Sequence, residues 1–351
     1  MRVNKTALHS ALHILSAVAD QKAHMPVLRC VKLDAKAGVL TLTATDLNKT
    51  LVTNIPCEGD IATVLPCKLL TQLVKPESKK DNGVVVMEPC ESAVSVQVDG
   101  LATKLTGIPV DEFPQGSEHD WNLIGMWDAK LLADSLAYVN TAVSKDTTRA
   151  HLCCVAFTDD KIVTTDGHRL HLARLPAPVE APLLIPTDAA GLLQRILKDG
   201  QVIVVRAGEH LKIRSGSYEL TTKLVDATFP PWEQVVPRNH PTCLAVDSKA
   251  FATALKKVGA VSNGNGVRMT VNGTITLSSS DPAAGESRIE IAPIENTHTG
   301  ADIVMGFNRA FLLDAIGKGK ETVRLSMAGC LDPLRIDLED GRTSVVMPMR
   351  V

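Results

Sequence analysis

In the first segment of the chain Leu8, Leu12, Leu15 and Val18 recur three or four residues apart, with His9, His13 and Ser16 between them. Positions so spaced share one face of a helix, so the pattern predicts an amphipathic first helix. Arg2 and Lys5 ahead of an apolar run to Ala19 have the outline of a short secretory leader, but the interrupting polar residues fit a helix better than a leader core. Two later amphipathic segments end like the first: Ser16-Ala17-Val18-Ala19, Thr141-Ala142-Val143-Ser144 and Gly259-Ala260-Val261-Ser262. Between the helical stretches lie short alternating or continuously apolar runs at 84–87, 93–98, 202–205, 211–213, 289–291 and 323–325, which read as half-buried or buried strands.

The spacing of these features is regular. The three valines stand 125 and 118 positions apart, and strand-like runs close on a Ser/Thr-Asp pair at Asp46, Asp166 and Asp281, 120 and 115 apart. A second helix is predicted from Pro66, Pro186 and Asn308, with Leu69-Leu70, Leu192-Leu193 and Leu312-Leu313 facing inward; proline suits a first helical turn, where its missing N–H is no loss. Phe113-Pro114, Phe229-Pro230 and Met347-Pro348 close the units. Each match alone is ordinary, since such steps are common at strand and loop ends. The ordered set predicts three homologous units over 1–117, 118–240 and 241–351, with boundary loops at 115–120 and 236–241. Each would carry two helices packed on antiparallel sheet, an α+β fold.

Composition narrows the class. With 45% hydrophobic and 22% charged residues, the chain is neither disordered nor fibrous nor membrane-spanning. Eight cysteines without a C-x-x-C pair or a Cys/His cluster at zinc spacing predict buried free thiols of a reducing cytoplasm. Net charge is only −2, yet the six helical segments together carry +11, so everything outside them must be acidic. One basic helix is adequately explained by solubility; five of six suggest a phosphate-attracting surface, with Lys68, Lys75, Arg195, Lys198, Lys256, Lys257, Arg309 and Lys318 as its charges. At 3% aromatic content there is little to stack on unpaired bases, which favours a duplex over a single strand.

Thr164-Thr165-Asp166-Gly167-His168-Arg169-Leu170, Lys223-Leu224-Val225-Asp226 with Phe229-Pro230, Thr45-Asp46-Leu47, Asp332-Pro333-Leu334 and the run Val345 to Val351 together resemble the bacterial sliding-clamp family, the beta subunits of replicative DNA polymerase, across essentially the whole chain. The resemblance implies the DNA-clamp fold: a three-domain subunit that closes head to tail with a second copy into a ring, helices inward, around duplex DNA. It also implies a non-enzymatic, cytoplasmic, nucleoid-associated processivity factor without a cofactor, placed on DNA by a separate clamp-loader ATPase and tethering the replicative polymerase and other partners. Enclosure explains why modest basicity suffices, since tight phosphate contacts would stop sliding.

The family-matching positions of a partner-peptide cleft between the second and third domains are Leu152, Thr165, Gly167, His168, Arg169, Leu170, Pro230, Val235, Asn308, Phe311, Leu331, Pro333, Val345, Val346, Met347, Pro348, Met349 and Arg350. Leu, Val, Pro and Met would form an adaptable apolar floor, with Arg169, His168 and Arg350 as polar rim; Leu170, Val345 and Val346 fit plain core packing equally well. For DNA the expected contacts are Lys22, His24, Lys68, Lys75, Lys145, Arg149, Arg195 and Lys198, although Asp188 leaves the second helix of the middle unit without net charge. Subunit closure is expected at an edge strand near Lys104, Leu105 and Ile108 against the helix end at Ala260 and Val261. Gln234, Phe311 and a short turn at 262–266 depart from the family pattern and leave open a specialised clamp of repair, phage or a mobile element. A hydrolase using Asp166 and His168 is the remaining alternative; neither of the other units has a histidine matching His168.

Overall fold

The computed structural model describes residues 1–78, 81–91, 93–116, 119–238, 240–261, 264–317 and 322–350. Lys318, Ser262, Asn263, Val351 and parts of both expected boundary loops lie outside them. The first stretch of chain forms β1 (Arg2–Asn4), α1 (Lys5–Leu15), β2 (Cys30–Lys36), β3 (Val39–Thr45), β4 (Lys49–Glu58), β5 (Ile61–Pro66), α2 (Cys67–Leu73), β6 (Val84–Cys90), β7 (Ala93–Val98) and β8 (Leu101–Thr106). The second forms β9 (Asn122–Asp128), α3 (Ala129–Val139), β10 (Cys154–Thr165), β11 (Arg169–Pro186), α4 (Thr187–Ile196), β12 (Gln201–Ala207), β13 (His210–Ser215) and β14 (Tyr218–Lys223). The third forms β15 (Thr242–Asp247), α5 (Ser248–Val258), β16 (Gly266–Val271), β17 (Ile275–Asp281), β18 (Gly285–Ile291), β19 (Glu295–Asn296), β20 (Ile303–Asn308), α6 (Arg309–Ile316), β21 (Thr322–Met327), β22 (Leu334–Leu338) and β23 (Thr343–Val346). The order strand, helix, strands, helix, three strands recurs three times. In the second stretch β10 and β11 are long strands, with irregular register between Phe157 and Lys161, in place of four short ones.

Each helix follows its strand without a loop, and the sequence shows why. Asn4, Asp128, Asp247 and Asn308 accept the N–H groups of Ala7, Leu131, Ala250 and Ala310 at 2.9, 2.7, 2.7 and 2.9 Å, ending the strand and starting the helix in one residue. Against the expectation that they open the second helices, Pro66 and Pro186 close the preceding strands, where a fixed φ and no N–H suit the exit. The helices are shorter than the segments read from sequence, because Ser16 to Val18 form turns and the other two stretches pass into single 3-10 turns at Asn140–Ala142 and Gly259–Val261. Leu70, Leu192, Leu193 and Leu312 are buried, but Leu69 is half exposed because a seven-residue helix has room for only one inward row there.

Two compact units contain these elements. The first comprises Met1–Ala133 and Gly191–Leu224, the second Asp134–Ala190 and Val225–Val351. In the first, a sheet runs β8-β7-β6-β1-β4-β14-β13-β12-β9, with β3, β2 and β5 branching from β4. Leu8, Ala11, Leu12 and Leu15 give the buried face of α1. Lys5 is buried with them, its ammonium paired with Asp81 at 2.7 Å and with Asp99, so one cation of the helix tally faces inward. In the second unit a seven-stranded sheet, β10-β11-β23-β22-β21-β15-β19, accompanies a four-stranded one, β18-β17-β16-β20. Phe251, Leu255, Phe307, Leu312, Ile316, Leu325 and Val346 belong to its main core. The cysteines are free, but only Cys30, Cys67 and Cys154 are buried; Cys330 is exposed, and the other four lie between. Burial raises the Cys67 and Cys154 thiols to about 11 and about 12.

Candidate functional site

The Thr-Asp pair singled out in the sequence builds the turn between β10 and β11. Thr165 Oγ1 donates to the Arg169 carbonyl at 2.7 Å and accepts from the Gly167 N–H at 3.1 Å. Asp166 Oδ1 accepts the N–H groups of His168 and Arg169 at 2.9 and 3.1 Å, and its Oδ2 accepts Arg169 Nε at 3.0 Å. Short acceptor side chains that fold back on their own backbone are the usual makers of such turns. Gly167 completes it at φ +90°, a region open to glycine. Asp166 is therefore a turn residue with both oxygens committed, which removes the carboxylate that the hydrolase reading needs.

Arg169 is not the rim contact expected from sequence. Only 10% of its side chain is exposed: Nη1 donates to Asp314 Oδ2 at 2.6 Å, Nη2 donates to the Thr141 carbonyl, and the guanidinium lies 4.2 Å from the centroid of the Phe311 ring. A planar fork with five donors can hold two carboxylates, a carbonyl and an aromatic face at once; lysine could not. Arg169 thus ties the β10–β11 turn to α6. Immediately behind it, β11 pairs with β23 through Arg169–Val346, Leu170–Val345 and His171–Ser344. The following residues are held from both sides: Met347 N–H donates to the His168 carbonyl at 2.9 Å and Met349 N–H to the Gly306 carbonyl of β20 at 2.8 Å. This fixes the backbone of 347–349 while leaving Met347 and Met349 38% and 45% exposed.

The expected cleft residues divide into two groups. Gly167, His168, Val235, Leu331, Met347, Met349 and Arg350 are exposed, and Thr165, Pro230, Phe311, Pro333 and Pro348 are half-buried. Leu152, Leu170, Val345 and Val346 are buried; Leu170 and Val345 pack in a core with Phe229 and Trp232 against it, and Val346 belongs to the main core. Leu170, Val345 and Val346 are buried because β11 and β23 lie inside the sheet, where both faces are covered, and Leu152 is buried at the end of the short turn 150–152. Asn308 caps α6.

Sequence reasoning missed the polar network beneath. Tyr138 Oη donates to the Ala315 carbonyl at 2.9 Å and pairs with Ser344 Oγ at 2.6 Å, while its ring stacks on His171 with centroids 4.8 Å apart. Burial holds the His171 imidazole down at about 3. The available signal was Leu170-His171-Leu172, a polar residue inside an otherwise apolar strand, which must find a partner when buried. Asp314 and Thr141 carried no local signal.

Of the expected DNA contacts, Lys22, His24, Lys68, Lys75, Lys145, Arg195 and Lys198 are exposed. Arg149 is half-exposed, its Nε paired with Asp146 at 2.9 Å and its guanidinium beside Gly167 of the β10–β11 turn. Lys256 and Lys257 are exposed, whereas the Arg309 guanidinium lies across Gly259. Lys104 stands exposed on β8, the last strand of its sheet. Leu105 of the same strand turns its side chain into the core, and the Ile108 N–H, beyond the strand, donates to the Val64 carbonyl at 3.0 Å. Ala260 and Val261 lie in a turn packed beside β18, an open edge of the four-stranded sheet.

Comparison with known proteins covers the whole chain. Residues 1–117, 127–231 and 233–350 match the N-terminal, central and C-terminal domains of the DNA polymerase III beta subunit family. A beta sliding clamp of Pseudomonas putida is 27% identical over 370 residues, covering 99% of both chains, and one of Pseudomonas aeruginosa is 26% identical over 373 residues at the same coverage. Among solved structures, a sliding clamp of Bartonella birtlesii bound to griselimycin superposes with a TM-score of 0.91 at 27% identity, covering 100% of this chain and 99% of its own. A Pseudomonas aeruginosa clamp with a ligand gives 0.89 at 26% identity, with the same coverage.

Proposed function

The chain belongs to the DNA polymerase III beta subunit family, the sliding clamps, which are non-catalytic processivity subunits, and from that premise we propose that it encircles duplex DNA as a head-to-tail dimer and tethers the replicative polymerase. The docking site would be the surface of Gly167, His168, Val235, Leu331, Met347, Met349 and Arg350. The observation that carries this reading is the segment 347–349: its backbone is bonded on both sides, yet its two methionine side chains remain exposed. Thioethers on a fixed backbone give a floor that adapts to different short apolar motifs at little ordering penalty. Phe311 supports Arg169 through its ring face, a contact that needs no phenolic hydroxyl.

Exposed Lys22, His24, Lys68, Lys75, Lys145, Arg195 and Lys198 would supply weak, exchangeable phosphate contacts. The domain division 1–117, 118–240 and 241–351 is part of the proposal. Closure would bring β8 of one copy, with Lys104, against β18 of another, beside its Ala260 and Val261, strands open on one side. The test is retention on DNA. After treatment with a clamp loader and ATP the protein should co-elute with a nicked plasmid, cross-link there to a species of twice the 37.6 kDa chain mass, and leave once the plasmid is linearised. Equal retention on circle and line, or a monomer on the circle, would overturn the reading.

A further inference from the structure

Beyond the apolar floor, the segment 347–350 borders a second and chemically different concavity. A pocket of ≈ 660 Å³ is lined by Arg268, Arg288 and Arg350, by Ser278 to Ser280 and Ser287, and by Glu286, Gly266 and Met349. The strand registers explain the composition. Arg268 on β16, Ser278 on β17 and Arg288 on β18 are direct cross-strand neighbours, so the side chains form one row across the sheet. Gly266, paired with Asn308 of β20, closes one end of the pocket, where its carbonyl accepts Ser279 Oγ at 3.3 Å. Met349 is shared, since it lines this pocket and is also part of the exposed methionine floor.

Resting on the docking reading above, we propose that this pocket receives acidic side chains flanking the apolar motif of a partner peptide. Arg268, Arg288 and Arg350 against Glu286 and the neighbouring Glu290 leave one net positive charge, which favours an anion, and Ser278 and Ser280 share the face of Arg268, whereas Ser279 and Ser287 donate to the Gly266 and Val258 carbonyls at 3.3 and 2.7 Å. Arg288 already shares its charge with Glu290 at 2.7 Å. The pocket is therefore selective for a few carboxylates at a fixed distance from the floor, while Glu286 and Glu290 disfavour a continuous run of phosphates. The occupant is the acidic flank of a peptide, not a nucleic-acid strand.

The experiment uses the full chain and fluorescein-labelled peptides built on the clamp-contacting segment of the replicative polymerase. One peptide ends at its apolar residues; others add three glutamates, or three glutamines, before or after them. One glutamate extension should bind about three- to ten-fold tighter than its glutamine counterpart at low salt, the range for a few exposed ion pairs, and the gain should shrink as salt rises. Arg288→Gln should abolish most of that gain and leave the unextended peptide's affinity unchanged. Glutamate and glutamine peptides that bind wild type equally would overturn the acidic-flank proposal alone. An unextended peptide that fails to bind would overturn the docking reading and this one with it. A gain that a short single-stranded oligonucleotide competes away, or that survives Arg288→Gln, would also overturn it.

Discussion

The turns at Thr45 to Lys49 and Thr165 to Arg169 are the same device used twice. Thr45 Oγ1 donates to the Lys49 carbonyl at 3.1 Å as Thr165 does to that of Arg169, and Asp46 Oδ1 accepts the N–H groups of Asn48 and Lys49 at 3.0 and 2.8 Å as Asp166 does two and three residues ahead. Each turn then bonds the end of a later stretch of chain: Lys223 N–H donates to the Asn48 carbonyl at 2.8 Å, where Met347 N–H donates to His168. What differs is the chemistry laid on this frame. Lys49 pairs with its own turn's Asp46, while Arg169 reaches Asp314 on α6. Leu51 and Leu220 face each other where the second junction has His171 and Ser344. Lys223 stands where the second has Met347. One junction closes a sheet; the other, with the same hydrogen bonds, also presents an apolar floor.

The largest expected effect that would break this contrast is on stability. Arg169→Ala leaves Asp166 and Asp314 without their cation and Phe311 without its cap. It should cost about 3 kcal/mol, whereas Lys49→Ala, at a side chain as deeply buried but paired within its own turn, should cost about 2 kcal/mol. Urea denaturation checks both, and equal losses would mean that Arg169 does no more than Lys49. The arginine's reach was not legible in the sequence. Its turn was, because Thr-Asp bonds its own backbone, but Asp314 is 145 residues away and nothing local marks it. The same holds for the buried cation Lys5, whose partners Asp81 and Asp99 lie 76 and 94 residues on. Repeat spacing and helix starts were readable because caps and prolines act within a few residues; β1, three residues long, has no periodicity to read.

Acid should separate the junctions next. His171 is held neutral, its folded value of about 3 lying below the ordinary 6.5. Between those values the unfolded chain binds more protons, so stability is fully present above pH 6.5 and falls as pH drops toward 3, by up to about 1.4 kcal/mol per unit. His171→Leu, which installs the residue found at the first junction, should flatten that part of the pH dependence in thermal unfolding; an unchanged slope would assign it to other groups.

Binding separates them more narrowly. Met347→Ala with Met349→Ala should weaken a polymerase peptide about ten-fold in calorimetry with little change in unfolding, since both side chains are well exposed and one lost apolar contact is worth about 1–2 kcal/mol. Lys223→Ala at the first junction should leave peptide affinity alone. A loss there as large as the methionine effect would place the docking surface elsewhere.

The smallest effect concerns the turns themselves. Leu47 and Gly167 occupy the same position, at φ +74° and +90°, so the first turn holds in left-handed backbone a leucine that is 61% exposed. A side chain in that region costs about 1–2 kcal/mol, and an exposed one recovers little of it through burial. Leu47→Gly relieves the strain but also loosens the unfolded chain, so the net gain should be about 0.5–1 kcal/mol. Gly167→Ala adds the strain and brings a Cβ to 3.3 Å from Arg149 Nη1, a flexible end that can yield, so its loss should be of similar size. Opposite signs in paired thermal melts would show the two turns to be one structure differently furnished. If Leu47→Gly destabilises instead, the exposed leucine makes a contact in the assembled protein that the isolated chain lacks, and the first junction is an interface in its own right.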